Sequence, residues 1–176
     1  MTSPINHHSS SISVNLRAIE PEDLELLYKV ENDRSLWEVG TTNVPYSRFL
    51  LREFIANSTG DIYTDKQVRM MISVQDTTIG MADLISFDPT HLRAEVGIMI
   101  LKEYRQHGFA LEALHQLALY AHHTLHLHQL YAYVSLENKS SLMLFEKAGF
   151  HQSCTMKEWL YDGKKYHDAA FLQLFL

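Results

Sequence analysis

Apolar positions along the chain change period several times, and each change marks an element. Residues 14–18 alternate as a short strand does. At Pro21 the period lengthens to that of a helix, with Glu22 and Asp23 in its first turn beside the positive end of the dipole. Leu24, Leu27, Tyr28 and Val30 or Glu31 continue at that spacing up to Asn32. Residues 35–47 have no period and are punctuated by Gly40 and Pro45. The spacing predicts a second short helix over 48–57, offering Phe49, Leu50, Phe54 and Ile55 for burial, and a polar connection over 58–66. Strands follow at 68–75, at 79–87 after the tight Asp76-Thr77-Thr78 turn, and at 93–101; the short turns between them predict an antiparallel meander. A longer helix over 108–124 carries Leu111, Leu114, Leu117, Ala118 and Ala121 on one face. Then come a buried strand over 130–136 and a helix over 140–148, closed by Gly149 where a left-handed residue is wanted. Closing strands over 156–161 and 169–175 flank an Asp162-Gly163 turn. The order β-α-α-β-β-β-α-β-α-β-β predicts an α/β (α+β) mixed sheet, largely antiparallel and flanked by about four helices, not a doubly wound one.

Composition narrows the class. At 176 residues, 46% hydrophobic and 20% charged, the chain suits one domain over 14–176 that buries its core without staples. Residues 1–13 read as a polar, mobile arm, lacking the basic and apolar regions of a signal peptide. A net charge of −6 argues against a nucleic-acid partner, which needs basic surface, and suits a cationic one. No apolar run approaches the roughly 18 residues that span a bilayer, so no membrane partner is expected and the setting expected is cytoplasmic. Cys154 stands alone, which excludes an intrachain disulfide; an isolated cysteine is expected in the core.

The most distinctive local chemistry lies between the third meander strand and the long helix. Arg105-Gln106-His107-Gly108-Phe109-Ala110 has the pattern R-x-x-G-x-A. Small residues let backbone N–H groups approach a phosphate, the unpaired amides of the helix start favour an anion, and Arg105 adds charge-assisted hydrogen bonds. A plain helix start with a convenient glycine gives the same pattern, so context decides.

That context resembles the GNAT superfamily of acyl-CoA-dependent N-acetyltransferases, and within it the bacterial spermidine N-acetyltransferases and ribosomal-protein N-terminal acetyltransferases. The resemblance is carried by Leu16-Arg17-Ala18-Ile19-Glu20-Pro21-Glu22-Asp23-Leu24, by Arg93-Ala94-Glu95-Val96-Gly97-Ile98, by the 105–110 loop, by Asn138 with the later Lys147-Ala148-Gly149-Phe150, and by Tyr161-Asp162-Gly163-Lys164-Lys165-Tyr166-His167-Asp168. It implies acetyl-CoA as co-substrate, held along the pantetheine by backbone groups of Ile98, Met99 and Ile100. It also implies that Arg105, Gln106, His107, Gly108, Phe109 and Ala110 hold the pyrophosphate, and that Asn138 hydrogen-bonds the cofactor where the two central strands splay. The implied reaction is direct attack of a primary amine, a polyamine or other small amine, on the thioester, with an N-terminal protein acetyltransferase or a non-catalytic acyl-CoA sensor as alternatives. Met99 is the expected source of the amide that stabilises the oxyanion. Glu95 is expected as general base or ammonium ligand, against the plainer reading of a strand carboxylate paired with Arg93.

Two departures from the family stand out. Where many members carry a tyrosine that protonates the thiolate, seven residues after Asn138, this chain has Phe145, a cofactor contact that cannot donate a proton. Tyr131, Tyr133, Ser141 or water remain as substitutes. The acidic polyamine pocket is diluted: Glu38 and Asp83 remain as substrate-binding candidates with Glu95, but Ser86 stands where a second acid is expected. The resembled enzymes oligomerise, so self-association is expected. His122 and His126 have the i, i+4 spacing of a metal pair, but no nearby Cys, Asp or Glu completes a set, and no metal site is expected. Trp37 and Trp159 are read as core or surface packing residues, with the lining of the acceptor pocket as the alternative for each.

Overall fold

The structure, a computed structural model, describes residues 13–33 and 44–176. The strands are β1 (Asn15–Ala18), β2 (Val68–Val74), β3 (Thr77–Asp88), β4 (Arg93–Ile100), β5 (Gln129–Ser135), β6 (His151–Tyr161) and β7 (Tyr166–Phe175). The helices among the described residues are α1 (Leu24–Glu31), α2 (Arg48–Asn57), the single turn α3 (Ile62–Asp65), α4 (Phe109–His123) and α5 (Lys139–Lys147). All seven strands join one sheet in the order β1-β2-β3-β4-β5-β7-β6, the mixed, largely antiparallel architecture that the periodicity predicts.

One joint departs from antiparallel pairing. β4 runs on through α4 to β5, which lies parallel to it, as a strand-helix-strand crossover requires. The two pair only through Arg93–Gln129, Ala94–Leu130 and Glu95–Tyr131. Beyond that point β4 follows β3, with Ile98 opposite Ala82 and Ile100 opposite Gly80, while β5 follows β7 as far as Ser135 opposite Ala169. The sheet therefore opens into a V between the C-terminal halves of β4 and β5.

Period-two alternation decides what each face meets. Ala94, Val96 and Ile100 of β4 and Leu130, Ala132 and Val134 of β5 are buried in one core with Ala113, Leu114, Leu117 and Ala121 of α4 and Phe145 of α5. On the opposite face α1 and α2 bury Leu27, Val30 and Leu51 against Met71 and Met81, with Met99 at the margin. Among the described residues, then, helices cover both faces of β2 to β4 but only one face of β5 and β7.

Several local expectations need correction. In α2 the buried residue is Leu51, while Phe49 and Leu50 are exposed and Phe54 and Ile55 lie at the cluster's edge. The Ser47 side chain accepts from Leu50 N and fixes the helix start, which turns the i, i+3, i+4 set 51, 54, 55 inward. The polar 58–66 connection holds α3, capped by Asp61 accepting from Tyr63 N and anchored by buried Ile62. β6 begins at His151, and as an edge strand it leaves Cys154 exposed, not in the core. α4 ends at His123 and His126 has φ +54°, so His122 and His126 share no helical face. Among the described residues no three His, Cys, Asp or Glu side chains are grouped to hold a metal, and no helix is long and apolar enough to cross a membrane. The expected arm over 1–13 lies outside the described residues except for Ser13, as do Trp37 and Glu38.

Candidate active site

β4 leads through one turn of 3-10 helix, Lys102–Tyr104, into the 105–110 loop. Gln106 and Gly108 both take left-handed backbones, at φ +65° and +83°. At Gly108, the N-cap of α4, that conformation costs nothing because there is no Cβ. Gly108 O accepts from Glu112 N at 3.2 Å, but no side chain among the described residues caps the helix. The amides of Phe109, Ala110 and Leu111 are thus left without intrahelical acceptors, at the positive end of a four-turn dipole. Arg105 Nε donates to Ile100 O at 2.9 Å, which ties the loop to the end of β4. His107 and Phe109 stack at 5.8 Å. A polyanion fits this cradle by charge and by donor supply.

The mouth of the V supplies a second set of donors. Leu101 N donates to Ile79 O, so in the antiparallel ladder Met99 exchanges bonds with Met81, and Ile98 and Ile100 turn away from β3 toward the gap. The Met99 carbonyl indeed faces β3, where a Cβ built on Gly80 would lie 2.2 Å from it. With Ile100 O taken by Arg105, the groups left for an extended ligand are the N–H and C=O of Ile98 and the N–H of Ile100. The Met99 amide is directed away from the gap, contrary to the role expected for it. Across the gap Asn138 caps α5, its Oδ1 accepting from Ser141 N at 3.1 Å and Ser140 Oγ at 2.9 Å. Its Nδ2 is the donor that remains. Phe145 lies in the core, 4% exposed and edge-on to Phe150 at 5.0 Å.

A strand with unpaired amides beside an anion-binding helix start is what an acyl-coenzyme A needs: an amide-bearing arm joined to a pyrophosphate. The family model described as acetyltransferase (GNAT) domain matches residues 13–151. The chain belongs to the GNAT acetyltransferases. It is 28% identical over 156 residues to a spermidine N(1)-acetyltransferase of Vibrio cholerae, covering 88% of each chain. It is 26% identical over 178 residues to a putative ribosomal N-acetyltransferase of Bacillus subtilis, covering 98% of this chain and 94% of that one. The crystal structure of the Vibrio cholerae spermidine N-acetyltransferase in complex with CoA and spermine superposes with a TM-score of 0.79 at 27% identity, over 92% of this chain and 95% of that one. The protein is an acetyl-CoA-dependent N-acetyltransferase with a GNAT fold, as the sequence motifs imply.

Glu95 and Asp83, two of the acidic candidates, lie on the sheet face opposite α4. Glu95 is half-buried there, level with the last β4–β5 pair. Burial pushes its carboxyl above the usual range, and a long hydrogen bond from Ser86 Oγ, 3.4 Å from Oε2, works against that shift. Ser86 reaches Glu95 because β3 bulges between Ile85 and Asp88, with Ser86 at φ +52°. Arg93, the expected partner of Glu95 in the plainer reading, bonds Asp88 instead at 3.1 Å. Asp83 is engaged by Arg69, Nε to Oδ1 at 2.8 Å, and the same guanidinium bonds Glu31 at 2.5 Å. These two carboxylates hold Arg69 firmly protonated despite its burial. The sequence reading missed Ser86 and Arg69 as partners of the acidic residues. Only Leu-Tyr-Ala-Tyr-Val, the alternation of β5, signalled that Tyr131 and Tyr133 leave the core and join Glu95 on this face.

Proposed function

We propose that this acetyltransferase acts on an aliphatic amine carrying more than one nitrogen, a polyamine or diamine. The observation that carries the reading is Glu95, a half-buried carboxylate on the face opposite α4 beside the mouth of the V, with no guanidinium or ammonium paired to it among the described residues. The names of the spermidine acetyltransferases it resembles support the same class.

Acetyl-CoA brings an activated thioester. Residues 105–110 bind its pyrophosphate, Asn138 Nδ2 and the backbone of Ile98 and Ile100 bind its arm, and the Ile98 or Ile100 amide, not that of Met99, stabilises negative charge on the carbonyl oxygen. An amine of pKa ~10 must lose a proton before it attacks. Glu95 lies three residues before Ile98, about 10 Å along the strand, so it draws that proton through water or holds a second ammonium. Phe145 supplies no proton, and a thiol of pKa ~8.5 leaves without one. Burial and the nearby Glu95 charge raise Tyr131 and Tyr133, so both hydroxyls stay protonated at neutral pH. A dodecameric relative supports self-association.

Thiol release with an amine panel tests the reading. Diamines and polyamines are expected to turn over, and a peptide with a free N-terminus to react more slowly. Faster turnover of the peptide would favour N-terminal acetylation of proteins, and saturable acetyl-CoA binding with no turnover would leave a sensor.

Ser86 gives a second, pH-based check. Its hydroxyl stabilises the ionised Glu95, so Ser86→Ala raises the carboxyl further. The acid limb of kcat/KM is expected to move to higher pH with the plateau nearly unchanged. A limb that stays put would remove Glu95 from the profile.

A further inference from the structure

Beside Glu95, the face of β5, β7 and β6 that no helix covers among the described residues is floored with rings. Tyr131 adjoins Glu95 in the strand register and lies edge-on to Tyr133, with centroids 5.8 Å apart. Tyr133 sits 5.2 Å from Phe171 and 5.5 Å from Trp159, each tilted by 33°. Trp159 reaches this face because β6 shifts register between Met156 and Leu160, where Glu158 takes φ +50°. Tyr131, Tyr133 and Phe171 of this floor line a cleft of about 210 Å³ together with Arg93, Gln129 and Gln173. Half-exposed rings beside a half-buried carboxylate match one ligand chemistry, an alkylammonium: the π faces and the carboxylate attract the cation, and the rings cover its methylenes.

Resting on the polyamine reading above, we infer that Glu95 with Tyr131, Tyr133, Phe171 and Trp159 forms a receptor for one distal ammonium, and that Arg93 closes it, which limits the acceptor to a diamine. Spacing along β4 acts as a ruler. The amides that face the thioester lie at Ile98 and Ile100, and Glu95 follows about 10 Å back along the strand. Four extended methylenes separate two nitrogens by roughly 6 Å, and the Glu95 side chain covers most of the remaining ~4 Å. A third nitrogen would arrive beside Arg93, two residues or about 7 Å farther on. Arg93 lines the cleft and is bonded to Asp88 at 3.1 Å, yet its charge still opposes the upward shifts of both tyrosines. Asp83, the other acid available to a polycation, is already neutralised by Arg69.

The test compares n-butylamine, 1,4-diaminobutane and the triamine spermidine at saturating acetyl-CoA. Wild type is expected to prefer the diamine to both others. Phe171→Leu is expected to raise KM for the diamine about tenfold, with the butylamine KM nearly unchanged. Arg93→Gln is expected to raise kcat/KM for spermidine severalfold and to narrow the gap to the diamine. Equal losses on monoamine and diamine, or none, would overturn the receptor, and a spermidine preference in wild type would overturn the Arg93 stop. Diamine binding is also read by calorimetry. If no amine is acetylated the polyamine acetylation reading fails by itself, and the receptor stands or falls on whether diamine binding weakens in Phe171→Leu.

Discussion

Glu95→Gln is expected to lower kcat/KM for amine acceptors by about a hundredfold while leaving the acetyl-CoA dissociation constant within about twofold. The replacement keeps the shape of the side chain and the contact to Ser86, and it removes only the charge and the basic lone pairs. In the wild type the carboxyl is pushed up by burial, and it serves as base or cation ligand only when ionised. Activity should therefore fall as pH drops through that raised value, and Glu95→Gln should lose this limb together with its activity. The cofactor contacts lie farther along, at Ile98, Ile100 and the 105–110 loop, which is why binding of acetyl-CoA should not follow. Full turnover in the variant, or an unchanged acid limb, would make Glu95 an ordinary strand carboxylate.

How much of the site is legible in the sequence differs from residue to residue. The 105–110 loop is readable because a left-handed N-cap needs Gly108 and a phosphate-binding helix start needs small neighbours, and both are properties of residue types at fixed spacing. The strand order is mostly readable, since short turns force neighbours to pair. Hydrophobic period does not reveal the splay, because the splay lies in pairing length, not in burial: β5 makes seven pairs with β7 and only three with β4. Side-chain partnerships are beyond reach for a related reason. Arg69 lies 14 residues from Asp83 and 38 from Glu31; the β2–β3 register sets Arg69 opposite Asp83, and the packing of α1 on that face brings Glu31 to it. Ser86 looks like a lost acid, yet the β3 bulge makes it the hydrogen-bond donor to Glu95. Met99 is a reasonable choice for the oxyanion from the motif alone. Which residues of a strand face a gap depends on which pairs of its ladder are hydrogen-bonded, and that parity comes from Leu101 and Ile79.

That parity also makes Gly80 the most sensitive position for the cofactor strand. A Cβ at Gly80 would lie 2.2 Å from the Met99 carbonyl oxygen and 3.0 Å from Ile100 Cδ1, so Gly80→Ala cannot be absorbed by a side-chain rotation. The backbone of β3 or β4 must move, and a forced contact of this kind in a packed sheet costs about 2–4 kcal/mol. Movement of β4 swings the Ile98 and Ile100 amides, so the KM for acetyl-CoA should rise about tenfold on top of a fall in Tm of several degrees. Gly97→Ala is the matched control on the same ladder. Its Cβ would meet only the Asp83 side chain, at 3.5 and 3.7 Å, which is ordinary contact. Tm for Gly97→Ala should stay within about two degrees of wild type, with the acetyl-CoA KM unchanged. A Gly80→Ala protein with wild-type Tm and wild-type KM would mean that β4 is not held at Met99 by β3. A stable Gly80→Ala protein with a raised acetyl-CoA KM would separate the two effects and place the strain on the cofactor strand alone.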